Sequence, residues 1–172
     1  MFILLKDQKI ILKIRNNKYM KVVLQRVQKA SVTINNHIIS KISKGLLLLV
    51  GFTQGDNDLI INKFVNKIIN MRIFDDETGK MNYNIKDIKG QILSVSQFTL
   101  YANIRHGKRP SFVKAEKFDD ANKHYIMFNK ILREKSKLPV FSGIFGANMQ
   151  VSLINDGPVT IVINSDNNNN IF

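Results

Sequence analysis

At 172 residues the chain is long enough for one ordinary domain with a real core, and its 44% apolar content is normal for a globular fold. It has no cysteine, which excludes disulfides, thiolate catalysis and cysteine-bearing zinc sites and fits a reducing compartment. The formal charge of +13 points to a polyanionic partner, most simply RNA or DNA, although abundant Lys, Asn and Ile are also what an AT-rich coding bias produces.

Residues 1–19 carry two apolar clusters, Phe2-Ile3-Leu4-Leu5 and Ile10-Ile11-Leu12, interrupted by Lys6, Asp7 and Lys9. Neither reaches the length of a secretory apolar region or of a membrane span, so no membrane attachment is expected. Met20 opens a well-patterned strand, so 1–19 reads as a dispensable N-terminal extension or as the product of an upstream start codon. Residues 21–28 alternate and are rich in β-branched side chains, the pattern of a strand. Residues 31–34 and 37–39 flank Asn35-Asn36 as a two-residue hairpin would, with His37 solvated at its edge. The apolar run 45–51, bounded by glycines, reads as a central strand buried on both faces.

Residues 54–58 are turn-like and end in candidate caps; 59–71 then places apolar residues at 60, 61, 64, 65, 68 and 69, which is helical spacing. The acidic stretch 75–80 reads as a surface hairpin turn rather than a metal site. A strand follows over 91–100, a basic loop over 103–110, and a second helix over 118–135 with Tyr125, Phe128 and Leu132 on one face; Pro139 closes it. Strands over 149–154 and 159–164 flank Gly157-Pro158, and the Asn-rich 165–172 is expected to be a disordered tail. These elements compose one α/β domain over 20–164. Its strands are mostly antiparallel, in two layers or a partial barrel, with two longer helices packed on one side. The three histidines, at 37, 106 and 124, form no helical i, i+4 pair and no HExxH, so neither a metal nor another cofactor is expected.

Two segments carry the chemistry. Ser96-Gln97-Phe98-Thr99 puts three polar residues at the end of an apolar strand. Strand alternation sets Gln97 and Thr99 on one face and Ser96 and Phe98 on the other. Such residues are either buried and hydrogen-bonded or line a pocket. Asn155-Asp156-Gly157-Pro158 between two strands is first of all a turn signal. Proline is also the residue whose preceding peptide bond most readily becomes cis, which turns neighbouring carbonyls to one side as a receptor for an ammonium group.

Together these segments belong to a longer series of blocks in fixed order. The series comprises 20–33 (MKVVLQRVQKASVT), Arg72-Ile73-Phe74, Gly79-Lys80-Met81-Asn82, Ser96 to Thr99, Arg109-Pro110-Ser111-Phe112, and 149–160 (MQVSLINDGPVT). The series resembles the D-aminoacyl-tRNA deacylases of the D-tyrosyl-tRNA type, over essentially 20–164.

The resemblance implies the deacylase-type fold and hydrolysis of the ester of D-aminoacyl-tRNA, and glycyl-tRNA mischarged on tRNA-Ala as a further target. It implies a cytoplasmic homodimer whose active sites lie at the subunit interface, with the 3′ end and acceptor stem of aminoacylated tRNA as partner. In that family the Gly-Pro bond is cis and the motif enters the partner subunit's active site. Gly157 and Pro158 would then offer carbonyls to the α-amino group and exclude an L side chain. Arg26 matches the arginine that steadies this loop, with Asn155 beside it; read alone, Arg26 is a strand arginine in a surface ion pair. Ser96, Gln97, Phe98 and Thr99 would form the pocket floor. Thr99 is a candidate nucleophile, but a threonine hydroxyl needs an adjacent base and the motifs supply none; His106 lies seven residues away in a loop. The alternative is an oxyanion hole of backbone N–H groups around Phe98 and Thr99, with the 2′-hydroxyl of the terminal adenosine activating water. Arg105, Lys108 and Arg109 are expected to contact acceptor-stem phosphates. Two other readings remain: a trans-editing deacylase of different chirality preference, and a non-catalytic RNA-binding protein.

Overall fold

The computed structural model describes residues 19–105, 107–165 and 171. The bulk of the expected extension and tail, and His106, lie outside the described residues. Tyr19 and Ser165, at the inner ends of those segments, meet: the Tyr19 N–H donates to Ser165 Oγ at 3.2 Å.

The chain begins with β1 (Lys21–Ile34), which turns through Asn35-Asn36 into β2 (His37–Ile42). Both asparagines have positive φ, 48° and 63°, as a tight two-residue turn between twisted strands requires. Where alternation alone marks a strand over 21–28 and a separate one over 31–34, β1 runs unbroken for 14 residues. It continues because its first half pairs antiparallel with β3 (Gly45–Gly51) and its second half with β2, while β8 (Gln150–Ile163) lines its other edge.

Helix α1 (Asp58–Asn70) follows, capped by Asn57, whose side-chain oxygen accepts the Ile60 N–H at 3.1 Å. A small hairpin comes next, β4 (Phe74–Asp75) and β5 (Met81–Tyr83). Its acidic turn is organised by Asp76, which accepts from the Asn82 side chain, from Thr78 and from the Lys80 amide; these donors hold its carboxyl well below the usual carboxylate range. β6 (Gln91–Ser96) lies parallel to β3, and β7 (Val140–Ser142) parallel to β6; helix α2 (Phe118–Ser136) connects the two. The main sheet runs β2-β1-β3-β6-β7 with β8 added on β1, a mixed sheet curled into a nearly closed barrel and backed by the two helices.

β3 explains its own apolar run. Leu46, Leu48 and Val50 join the core under the helices with Phe64, Ile68, Phe128 and Leu132. Leu47 faces a second core with Val27, Val32, Leu93 and Val95. Each fully buried Phe or Leu here contributes roughly 1.5–3 kcal/mol of transfer free energy. Among the described residues no helix is long and apolar enough to cross a membrane.

Two sequence expectations are corrected. The strand expected over 91–100 stops at Ser96, because its partner β3 ends at Gly51; Phe98–Tyr101 then winds into a 3-10 turn. Gln97 and Thr99 therefore do not share a strand face. The two strands expected around Gly157-Pro158 belong to one strand, β8, from which a short loop bulges. Gln25 pairs with Thr160 and Val27 with Asn155, so residues 156–159 have no ladder partners and stand out opposite Arg26.

Candidate active site

β6 and the 3-10 turn place Ser96, Gln97 and Phe98 of the motif on the wall of a cavity, with Thr99 beside it. The Gln97 N–H donates to the Val50 carbonyl at 2.7 Å, the last backbone link between this segment and β3. A side chain at Gly51 could not stand there, since its Cβ would lie 2.8 Å from the Gln97 carbonyl oxygen. Leu100 N–H closes on the Gln97 carbonyl at 3.4 Å and Ala102 N–H on that of Thr99 at 3.0 Å. The amides of Phe98 and Thr99 open the turn, where helical N–H groups have no acceptor within their own turn.

The cavity, about 560 Å³, is lined by Ser96, Gln97 and Phe98 on one side and by Ala115, Phe145 and Met149 among those opposite. Phe98 is 57% exposed and rests edge-on against Phe112 with ring centroids 5.1 Å apart. Thr99 is exposed and points elsewhere than the cavity wall; its hydroxyl accepts from the Gln97 side-chain amide. A larger open groove of about 1040 Å³ runs past Lys29, Ile38, Ser40 and Phe141 and contains none of the sequence-predicted site residues.

Gly157 and Pro158 lie elsewhere on the same chain. Their peptide bond is cis. Neither residue lines the 560 Å³ cavity. Arg26, only 5% exposed, grips the base of their loop. Its Nε donates to the Asp156 carbonyl at 3.1 Å and its Nη1 to the Ile73 carbonyl at 2.7 Å. The Asp156 and Asp75 carboxylates lie 3.3 and 3.5 Å from it. Arg26 is thus a buried hub linking β1, the β4 hairpin and the 156–159 loop. Asn155 closes the loop from inside: its Oδ1 accepts the Val159 N–H at 2.8 Å and its Nδ2 donates to Thr160 Oγ1 at 3.0 Å.

Arg105, Lys108 and Arg109 are exposed on the 103–111 loop, tied at its neck by reciprocal bonds between Asn103 and Ser111 of 2.8 and 3.0 Å. Its position follows directly from the 3-10 turn, so the basic loop and the cavity share one end of the molecule.

Sequence reasoning missed a buried polar cluster behind the cavity. Glu116 lines the cavity and receives His124 Nδ1 at 2.8 Å. Asp56 lies within electrostatic reach of both and accepts the N–H groups of Met20 at 2.7 Å and Thr53 at 2.8 Å. Burial pushes Asp56 up to about 7, against the pull of those two amides. No local spacing links positions 56, 116 and 124; only the packing of α2 on the end of β3 joins them. Because the folded pKa lies above the unfolded value, the folded state binds more protons between about pH 4 and 7. The contribution of Asp56 to stability is therefore full at low pH and is lost as pH rises through about 7. Asp56→Asn should flatten the decline of unfolding free energy over that window, measured by denaturant titration at several pH values. It should also lower stability at acid pH, since an amide oxygen cannot accept both N–H groups.

The mixed barrel-like sheet, with its cavity beside a cationic loop, is the frame of a hydrolase acting on the ester bond of aminoacyl-tRNA, a class defined by its family. A family model described as D-Tyr-tRNA(Tyr) deacylase matches residues 23–164. The chain belongs to the D-Tyr-tRNA(Tyr) deacylase family. It is also similar to a solved structure titled c-Myc DNA Unwinding Element Binding Protein. The two are 41% identical, with a TM-score of 0.78 over 83% of this chain and 96% of that one. A structure of a probable eukaryotic D-amino acid tRNA deacylase shares the fold at 16% identity, TM-score 0.76, over 86% of this chain and all of that one.

Proposed function

We propose that the protein is a chirality-selective deacylase working as a cytoplasmic homodimer, in which the cavity of one chain is completed by the Gly157-Pro158 loop of its partner. The observation that carries this reading is the separation of the two motifs within one chain: the cavity is lined by none of residues 155–160, yet Gly157 and Pro158 are exposed on a loop held at its base by Arg26. A motif so built and so placed is suited to reach another chain. Carbonyls of Gly157 and Pro158 take the α-ammonium group. An L side chain then collides with protein and a D side chain points out, so selection works by exclusion. Glycine has nothing to exclude, which makes glycyl-tRNA mischarged on tRNA-Ala a second substrate. The catalytic domain is 20–164, with 1–19 as an extension that activity does not need.

Hydrolysis adds water to the ester carbonyl. The oxyanion that forms is held by the amides of Phe98 and Thr99, with Ser96 and Gln97 shaping the floor. Collapse expels the 3′-oxygen of the terminal adenosine, which leaves with a proton, giving free amino acid and tRNA. The 2′-hydroxyl beside it helps to activate the water. Such an ester is already reactive, so positioning and oxyanion stabilisation supply most of the rate. Thr99 serves through its backbone: its hydroxyl is engaged by Gln97 rather than by a base. Thr99→Ala should turn over within a few-fold of the parent; loss of turnover with intact tRNA binding would restore the nucleophile role.

Arg105, Lys108 and Arg109 supply the acceptor-stem contacts. Affinity for tRNA should fall steeply with salt, and replacing all three with alanine should flatten the log–log slope by about 2–3, near one per phosphate contact. The function is tested by following deacylation of D-tyrosyl-, L-tyrosyl- and glycyl-tRNA in parallel. Release from the D and glycyl forms but not from the L form is expected; release from the L form alone would overturn the reading.

A further inference from the structure

We propose that His124 is a positioning residue of the deacylase cavity, acting through Glu116 to fix the wall formed by residues 112–116; this rests on the reading of that cavity as the aminoacyl-ester site. The wall lies between the basic loop and α2 and belongs to no strand or helix. Two bonds pin it to the chain beyond β3: Glu116 N–H to the Phe52 carbonyl at 3.0 Å, and Thr53 Oγ to the Lys114 carbonyl at 2.6 Å.

The third pin is the side chain of Glu116, 8% exposed, which takes Nδ1 of His124 at 2.8 Å. The imidazole is itself seated against the Phe52 ring, centroids 5.9 Å apart. A carboxylate this buried is stable only with a hydrogen-bonded partner. The acids that share its electrostatic environment are engaged elsewhere: the two Asp56 oxygens accept the Met20 and Thr53 amides, and the Tyr101 hydroxyl donates to the Tyr19 carbonyl, so neither replaces the imidazole. Without His124, Glu116 gains by turning outward to water, and the wall turns with it.

The consequence reaches the active motif through two side chains. Ala115 and Phe112 line the cavity beside Glu116, and Phe112 is the ring against which the exposed Phe98 rests. Loosening the wall therefore frees Phe98 and widens the seat of the substrate, an effect on binding more than on the chemical step. With a proton on Nδ1 the imidazole donates to the carboxylate whether charged or neutral, so an amide that presents an N–H at the same place should substitute for it.

The test compares the full-length protein with His124→Leu, His124→Asn and the double variant Glu116→Ala/His124→Leu, each measured for kcat and KM on D-tyrosyl-tRNA and for amide exchange at 112–116. His124→Leu should raise KM about tenfold with kcat changed less than threefold, and speed exchange in the wall. His124→Asn should keep KM within about twofold, and the double variant should be no worse than His124→Leu, as expected for residues acting as one unit. Unchanged KM and exchange in His124→Leu would overturn the proposal, as would a His124→Asn as damaged as the leucine variant. If the unaltered protein releases no D-amino acid, the functional reading fails, while the exchange rates still decide whether His124 holds the wall.

Discussion

Gly157→Ala is expected to lower kcat/KM on D-aminoacyl-tRNA by about 100-fold or more while the chain still folds, because displacement of about 1 Å at a positioning element costs that much. Gly157 has φ +126°, a region that L side chains rarely adopt. An alanine Cβ there would stand 2.8 Å from Val159 Cγ2, 3.0 Å from the Val159 nitrogen and 3.2 Å from Arg26 Nη2. The backbone and the guanidinium cannot both yield without reshaping the loop. Strain of about 1–3 kcal/mol is stored locally, which lowers Tm by about 2–12 °C. Steady-state kinetics alongside a thermal melt separates the two effects. An alanine variant with parental activity would show that the shape of this loop is irrelevant to catalysis.

Arg26→Ala should damage both stability and activity. It strips donors from the Ile73 and Asp156 carbonyls and leaves Asp75 and Asp156 facing one another without a cation. Breaking a fully buried pair costs about 3–5 kcal/mol, but Asp75 and Asp156 are partly exposed, so roughly 2–4 kcal/mol and a Tm loss of about 5–10 °C are expected. The loop at 156–159 loses its base, so kcat/KM should fall further than the melt explains. Arg26→Lys should be intermediate, since one ammonium cannot serve several acceptors spread around a planar fork.

Much of the frame was legible because it is local. Helical spacing over 59–71 and 118–135 meets helices at Asp58–Asn70 and Phe118–Ser136, and the apolar run at 45–51 is β3 itself. What was not legible depends on partners distant in sequence. β6 stops at Ser96 because β3 stops, which no property of residues 97–100 announces. Residues 156–159 leave the ladder because Arg26, 130 positions away from Asp156, holds them out. Arg26 taken alone resembles any strand arginine; in the fold its guanidinium lies between the β4 hairpin and the 156–159 loop. Glu116 and His124 are ordinary surface residues by pattern; only the seating of α2 on Phe52 buries the bond between them.

Each active site is proposed to take its cavity from one chain and its Gly157-Pro158 loop from the other. Mixed dimers decide it. One chain carries Gly157→Ala; the other carries Ala115→Trp, which fills the cavity. Each variant alone should be inactive. Statistical mixing makes half of the dimers mixed, and each of these regains one site of intact cavity and intact loop, so about a quarter of the parental activity should return. Mixed dimers that form, verified by native mass spectrometry, and yet remain as inactive as either variant would contradict a shared active site.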